Sequence, residues 1–151
     1  MTIPYDAFTG EFLGKISEYD FLQMNDEDRQ DAVDGYMKRV MSNSLFKKVC
    51  KYDFIGCADD ETRVFTLSID EGDVDELVEL VADGMLIQWM KPYVYQQELL
   101  HNQMNTRDYS VYSPAELLMR IGNAYAKAQK DFTYALREYS FNHADLSTLH
   151  L

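Results

Sequence analysis

A mainly α-helical fold is what this sequence predicts: a compact helical bundle with a long C-terminal helix and one small β-strand or hairpin excursion. Three observations carry it. Leu117, Ile121, Ala124, Tyr125, Ala128, Phe132, Ala135, Leu136 and Tyr139 recur at helical spacing behind Ser113-Pro114-Ala115-Glu116, a capping box with proline in its first turn. Met85–Met90 is apolar nearly all round, which marks a helix buried on several sides. Only one segment, Arg63–Ile69 (Arg63, Val64, Phe65, Thr66, Leu67, Ser68, Ile69), is rich in β-branched and aromatic residues.

Taken in order, Tyr5, Phe8, Phe12, Ile16 and Tyr19 place a helix from Pro4 to about Tyr19, with Pro4 tolerated in the first turn. Asn25 or Asp26 is a candidate cap for a second helix, whose stripe is Val33, Tyr36, Met37, Val40 and Met41. Ser42-Asn43-Ser44 breaks that pattern. Leu45–Asp60 is mixed, and Lys47, Lys48 and Lys51 fit a short helix or loop with snorkelling side chains. The strand Arg63–Ile69 needs a partner. Tyr52–Cys57 is one candidate within the chain, and the edge of a neighbouring chain is another. It is therefore expected in a protruding loop or hairpin at a subunit interface, not in a sheet of several strands within one subunit.

From Asp73, the stripe Val74, Leu77, Val78, Val81, Met85 and Trp89 defines the central helix, which Pro92 kinks or ends. Tyr93–Asn102 fits a shorter continuation, and Gln103–Tyr112 a polar connector. The helix after Ser113 runs roughly seven turns and packs against the central one. His143–Leu151 loses the period and fits a flexible tail, so residues 1–151 form one domain with 143–151 appended.

Composition narrows the function. The chain has 151 residues, 26 acidic against 14 basic side chains, and a formal net charge of −12. Residues 1–83 hold 20 acids and 8 bases, whereas residues 84–151 hold 6 of each, so the excess sits wholly in the first part. Binding to nucleic acid through clustered cations is disfavoured. Cys50 and Cys57 cannot build a disulfide framework, which points to a reducing compartment. No apolar run is long enough to span a bilayer, and Met1–Gly10 has no basic residue of the kind a signal peptide carries.

Motifs for chemistry are missing. There is no nucleophile elbow, no phosphate-binding glycine loop and no zinc-protease pair, and Cys50 and Cys57 have no matching histidine. Asp70–Glu76 lacks the alternating order of a calcium loop and has Val81 where the twelfth-position glutamate belongs, so it fits an acidic helix start. His101, His143 and His150 are scattered. The expectation is a protein that is not an enzyme and holds neither cofactor nor metal. Its 11 tyrosines, Tyr93, Tyr95, Tyr109 and Tyr112 among them, suit protein contact surfaces.

Two blocks carry a family resemblance. Gly84-Met85-Leu86-Ile87-Gln88-Trp89-Met90-Lys91-Pro92-Tyr93 and Met104–Leu118, which contains Asn105, Arg107, Asp108, Tyr109, Tyr112, Ser113, Pro114 and Glu116, resemble stretches of tailed-bacteriophage head–tail connector proteins. Ser17–Leu22 and Asp34-Gly35-Tyr36-Met37 are similar to the N-terminal part of the same family, so the resemblance touches most of residues 11–142. It implies a helical, non-enzymatic virion protein of the neck, made in the host cytoplasm. Such proteins form rings of about twelve copies between the portal and a stopper or tail-completion protein. Genomic DNA passes through without specific binding, and an acidic lumen lets it slide. His143, Leu146, Leu149 and Leu151 are then candidate portal contacts. The alternative is an acidic DNA mimic that inhibits a nucleic-acid enzyme; a mimic is expected as a monomer or dimer, a connector in assembly with portal.

Overall fold

The structure is a computed structural model and describes residues 2–16, 29–95 and 114–143. It is mainly helical, with a small three-stranded antiparallel sheet. In chain order the elements are β1 (Thr2–Pro4), α1 (Tyr5–Ile16), α2 (Arg29–Met41), α3 (Ser44–Val49), a 3-10 turn (Ile55–Cys57), β2 (Ala58–Asp59), β3 (Val64–Thr66), α4 (Glu71–Tyr95) and α5 (Pro114–Asn142).

α4 is the central helix, as its sequence demands. It packs most extensively on α5 and then on α1 and α2. Leu77, Leu80, Val81, Ala82, Met85, Leu86, Trp89 and Met90 are all buried, so successive turns present apolar groups in several directions. α1 contributes Tyr5, Phe8 and Phe12, and α2 contributes Val33, Met37, Val40 and Met41. α5 buries Ile121, Tyr125, Ala128, Leu136 and Tyr139 along one stripe, and Phe132 lies partly buried against the same core. α4 also continues through Pro92 for three more residues, to Tyr95. The proline lacks an N–H for the carbonyl one turn back.

Gly84 sets how closely three helices meet. A Cβ at this position would lie 2.8 Å from Val40 Cγ1 and 2.9 Å from Phe132 Cε2. Only a hydrogen fits there, so α2 and α5 both close onto α4 at one level.

The β segment departs from expectation. The strand covers Val64–Thr66, not Arg63–Ile69, and it is the middle member of a three-stranded sheet in order β1-β3-β2. Thr2 pairs with Thr66, Ile3 with Phe65 and Pro4 with Val64 on one side, and Ala58 with Phe65 and Asp59 with Val64 on the other. Both ladder edges of β3 are thus occupied within the subunit, which leaves that strand no edge for a neighbouring chain. Arg63 belongs to the preceding turn and Leu67, Ser68 and Ile69 to the loop that follows, Leu67 and Ile69 partly buried on the core.

The partners are Thr2–Pro4 and Ala58–Asp59; Tyr52–Cys57 forms a turn instead. Strands this short have no period of their own and are held by packing. Phe65, fully buried, supplies it: its ring lies 4.6 Å from Tyr5, 5.6 Å from Phe8 and 5.4 Å from Phe54. Pro4 accordingly ends β1, and α1 begins at Tyr5, whose N–H donates to the Arg63 carbonyl at 2.9 Å.

Ser42–Ser44 is a helix junction. The Asn43 side chain accepts from Leu45 N at 2.9 Å and Phe46 N at 3.3 Å, capping α3. Lys47, Lys48 and Lys51 are exposed. The expected cap of α2 at Asn25 or Asp26, the cap residue Ser113 and the connector 103–112 lie outside the described residues. No described helix is long and apolar enough to cross a membrane.

Candidate functional site

Two features stand out from the core. One is a groove of about 850 Å³ bordered by α2, α3, α4 and α5. Its walls are Val40, Leu45 and Val49 on one side, Gly84, Ile87 and Lys91 below, and Tyr125, Phe132, Leu136 and Phe141 from α5. Phe141 is 80 % exposed and Leu45 59 %, so the lips of the groove are large apolar side chains in solvent. Lys91 and Arg137 add cationic groups to its border. An open apolar channel rimmed by polar groups is the shape of a docking surface.

The second feature lies where the end of α5 meets the start of α4. Asp73 and Glu76, three residues apart, share a face of α4. His143, just past α5, places Nε2 3.0 Å from Glu76 Oε2 and Nδ1 3.7 Å from Asp73 Oδ1. Its ring stacks on Tyr139 at 4.2 Å between centroids. Tyr52 donates its hydroxyl to Asp73 Oδ2 at 2.8 Å. Burial raises the Tyr139 hydroxyl and the Cys50 thiol above their ordinary values, so both are neutral beside this cluster. Cys50 is a buried free thiol that contacts the Tyr52 carbonyl at 3.8 Å, and Cys57 is partly buried.

The structure sorts the candidate residues as follows. Trp89 is core and Pro92 lies inside α4, while Pro114 and Glu116 open α5. Asn105, Arg107, Asp108, Tyr109, Tyr112, Ser113, Leu146, Leu149 and Leu151 lie outside the described residues. His143 is held against α4, unlike the free tail residue expected from sequence. Neither the groove nor the Asp73–Glu76–His143 cluster was visible in the sequence. The signal for the groove was faint: Leu45 and Phe141 are apolar residues off the main stripes. The cluster had none, because His143 and Glu76 are 67 residues apart.

No family model, no curated protein and no solved structure matches this chain.

Proposed function

We propose that the chain is a virion structural protein: a head–tail connector subunit that assembles with copies of itself into a ring of about twelve between the portal and the tail or stopper protein. The observation that carries this reading is the groove between α3, α4 and α5, with Phe141 and Leu45 exposed on its lips. A monomer gains nothing from holding such side chains in water; a partner helix or loop buries them. The sequence resemblance supports the same class of protein.

The occupant is a second copy. Lys91 and Arg137 border the groove, whereas residues 1–83 carry the whole net charge of −12, so the basic border of one subunit complements the acidic part of the next. A contact between two different faces of identical chains propagates head to tail, and closes into a ring when the rotation permits. Glu71, Asp75 and Glu79, all exposed, recur every four residues along α4 and form an acidic ridge. In a ring such ridges give a lumen that repels the phosphate backbone and lets DNA slide.

Mass photometry and negative-stain imaging of the purified protein, alone and with portal, test the proposal. Rings, or subunits seated on portal, are expected, and Phe141→Asp is expected to abolish them while leaving the fold intact. A chain that stays monomeric with portal and instead inhibits a nucleic-acid enzyme would establish the acidic-mimic reading and overturn this one.

A further inference from the structure

The Asp73–Glu76–His143 cluster brings an imidazole from the end of α5 up to two carboxylates in the first turns of α4. His143 Nε2 is within hydrogen-bond reach of Glu76, at 3.0 Å, but Nδ1 stands 3.7 Å from Asp73 Oδ1, too far for a hydrogen bond. One donor atom from each of the three residues lies within 4.8 Å of the others. The flanking groups hold the donors in place. Tyr52 ties up Asp73 Oδ2 and leaves Oδ1 toward the imidazole, and stacking on Tyr139 fixes the plane of the ring. Metal sites orient their ligating carboxylates and histidines through outer-shell contacts of this kind.

We propose that Asp73, Glu76 and His143 bind a single divalent transition-metal ion, with zinc as the fitting species. One imidazole nitrogen would bind the ion: a tetrahedral zinc with bonds of about 2.0–2.1 Å has ligand–ligand edges of roughly 3.4 Å, and the three donor atoms, all within 4.8 Å of one another, reach that spacing by small side-chain rotations. The Asp73 side chain, only 13 % exposed, is the anchored ligand, whereas Glu76, at 40 %, and His143 stand at the surface, where an ion can enter. An imidazole beside two carboxylates selects zinc or a similar transition metal over calcium and magnesium, which take oxygen ligands. Three protein ligands leave the fourth position to water. Bound there, the ion clamps the end of α5 to the first turns of α4, where the packing of the two longest helices begins. This inference is independent of the ring assembly.

Titration of the chelator-treated full chain with zinc chloride, followed by calorimetry and thermal unfolding, is the test. One ion per chain and an unfolding midpoint that rises with zinc concentration are expected. His143→Ala and Glu76→Gln should each weaken binding by at least about tenfold, and Tyr52→Phe by a smaller factor. The double variant His101→Ala/His150→Ala removes the other two histidines and should leave binding unchanged. Far-UV circular dichroism checks that the variants fold, and Glu76→Gln keeps the side-chain shape. Cobalt substitution should give ligand-field bands without a thiolate charge-transfer band. The absence of any zinc-dependent heat or midpoint shift would overturn the proposal. So would uptake that survives His143→Ala, uptake lost in the double variant, or a cobalt–thiolate band assigning the ion to Cys50 or Cys57.

Discussion

Arg63 grips Asp34 with two prongs: Nη2 donates to Oδ1 at 2.8 Å and Nε to Oδ2 at 2.9 Å. The third prong, Nη1, reaches Asp6 at 2.9 Å, so one guanidinium joins the turn before β3 to both α1 and α2. Arg63 does this from a left-handed backbone position, φ 55°, which costs a non-glycine residue of order 1 kcal/mol or more. The carbonyl of Arg63 also accepts from Tyr5 N, so the turn and the α1 start are locked together.

Asp34→Ala is therefore expected to destabilise the protein by about 1.5–3 kcal/mol, because it removes two of the three charge-assisted bonds of a three-quarters-buried guanidinium and leaves only the one to Asp6. Arg63→Lys should recover only part of the effect of losing the guanidinium, since an ammonium cannot form the fork. Urea unfolding measures both. Asp34→Ala at wild-type stability would show that solvent replaces the pair without loss.

Gly84 and Gly10 should respond in opposite directions to alanine. At Gly84 the added methyl meets the stiff, branched Val40 side chain and the Phe132 ring edge below 3.0 Å, and overpacking of this kind costs roughly 1–3 kcal/mol. At Gly10, exposed in the middle of α1 with nothing within 4 Å, alanine should stabilise by about 0.5–1 kcal/mol through helix propensity. Thermal melts of the two single variants check the contrast. Equal signs would mean that α2 and α5 do not close on α4 at this level.

Asp60 sits under Lys38 Nζ at 2.6 Å and receives the Tyr5 hydroxyl at 2.6 Å. Lys38 first, and then Tyr5, hold its carboxyl below the ordinary value of 3.8. Because the folded value is the lower one, this contribution to stability is complete above the unfolded pKa and is lost as pH falls through the folded pKa. Tyr5→Phe should move the Asp60 midpoint upward in a carboxyl NMR titration, and Lys38→Gln should move it further. An unmoved midpoint in Lys38→Gln would contradict the ranking.

Asp83 carries the opposite sign. Burial raises its carboxyl above the ordinary range and outweighs the attraction of Lys15, whose Nζ is 3.2 Å away. Lys15 itself is desolvated, yet its ammonium is held above the ordinary value by Asp83. A carboxyl with a raised folded pKa favours folding when protonated and costs stability as pH rises through that pKa. The stability of Asp83→Asn relative to wild type should thus improve in denaturant titrations as pH rises from the ordinary carboxylate value of 3.8 through the raised one. If it worsens instead, the Lys15 pair dominates over burial.

Much of the helical architecture was legible residue by residue. Of the α2 stripe, Val33, Met37, Val40 and Met41 are buried and Tyr36 is half-buried, and the turn of α4 from Met85 to Met90 is buried apart from the half-buried Ile87 and Gln88. A helix of three or more turns repeats its apolar face often enough to announce itself, and its hydrogen bonds are local. The mainly helical class, the central α4 and its packing against α5 therefore followed from the order of amino acids.

Only the tertiary structure decided the rest. Thr2–Pro4 and Ala58–Asp59 become strands because Phe65, between them, packs into the Tyr5, Phe8 and Phe54 rings; neither segment is long enough to show alternation. The groove exists because Gly84 draws α2 and α5 onto α4 while Leu45 and Phe141 are left outside the core. The cluster exists because the 29 residues of α5 carry His143 back to the start of α4, within 3.0 Å of Glu76. Spacing in the chain determines which residues share a helix face. Which faces and helix ends come together depends on how the helices pack, and no local pattern encodes that distance.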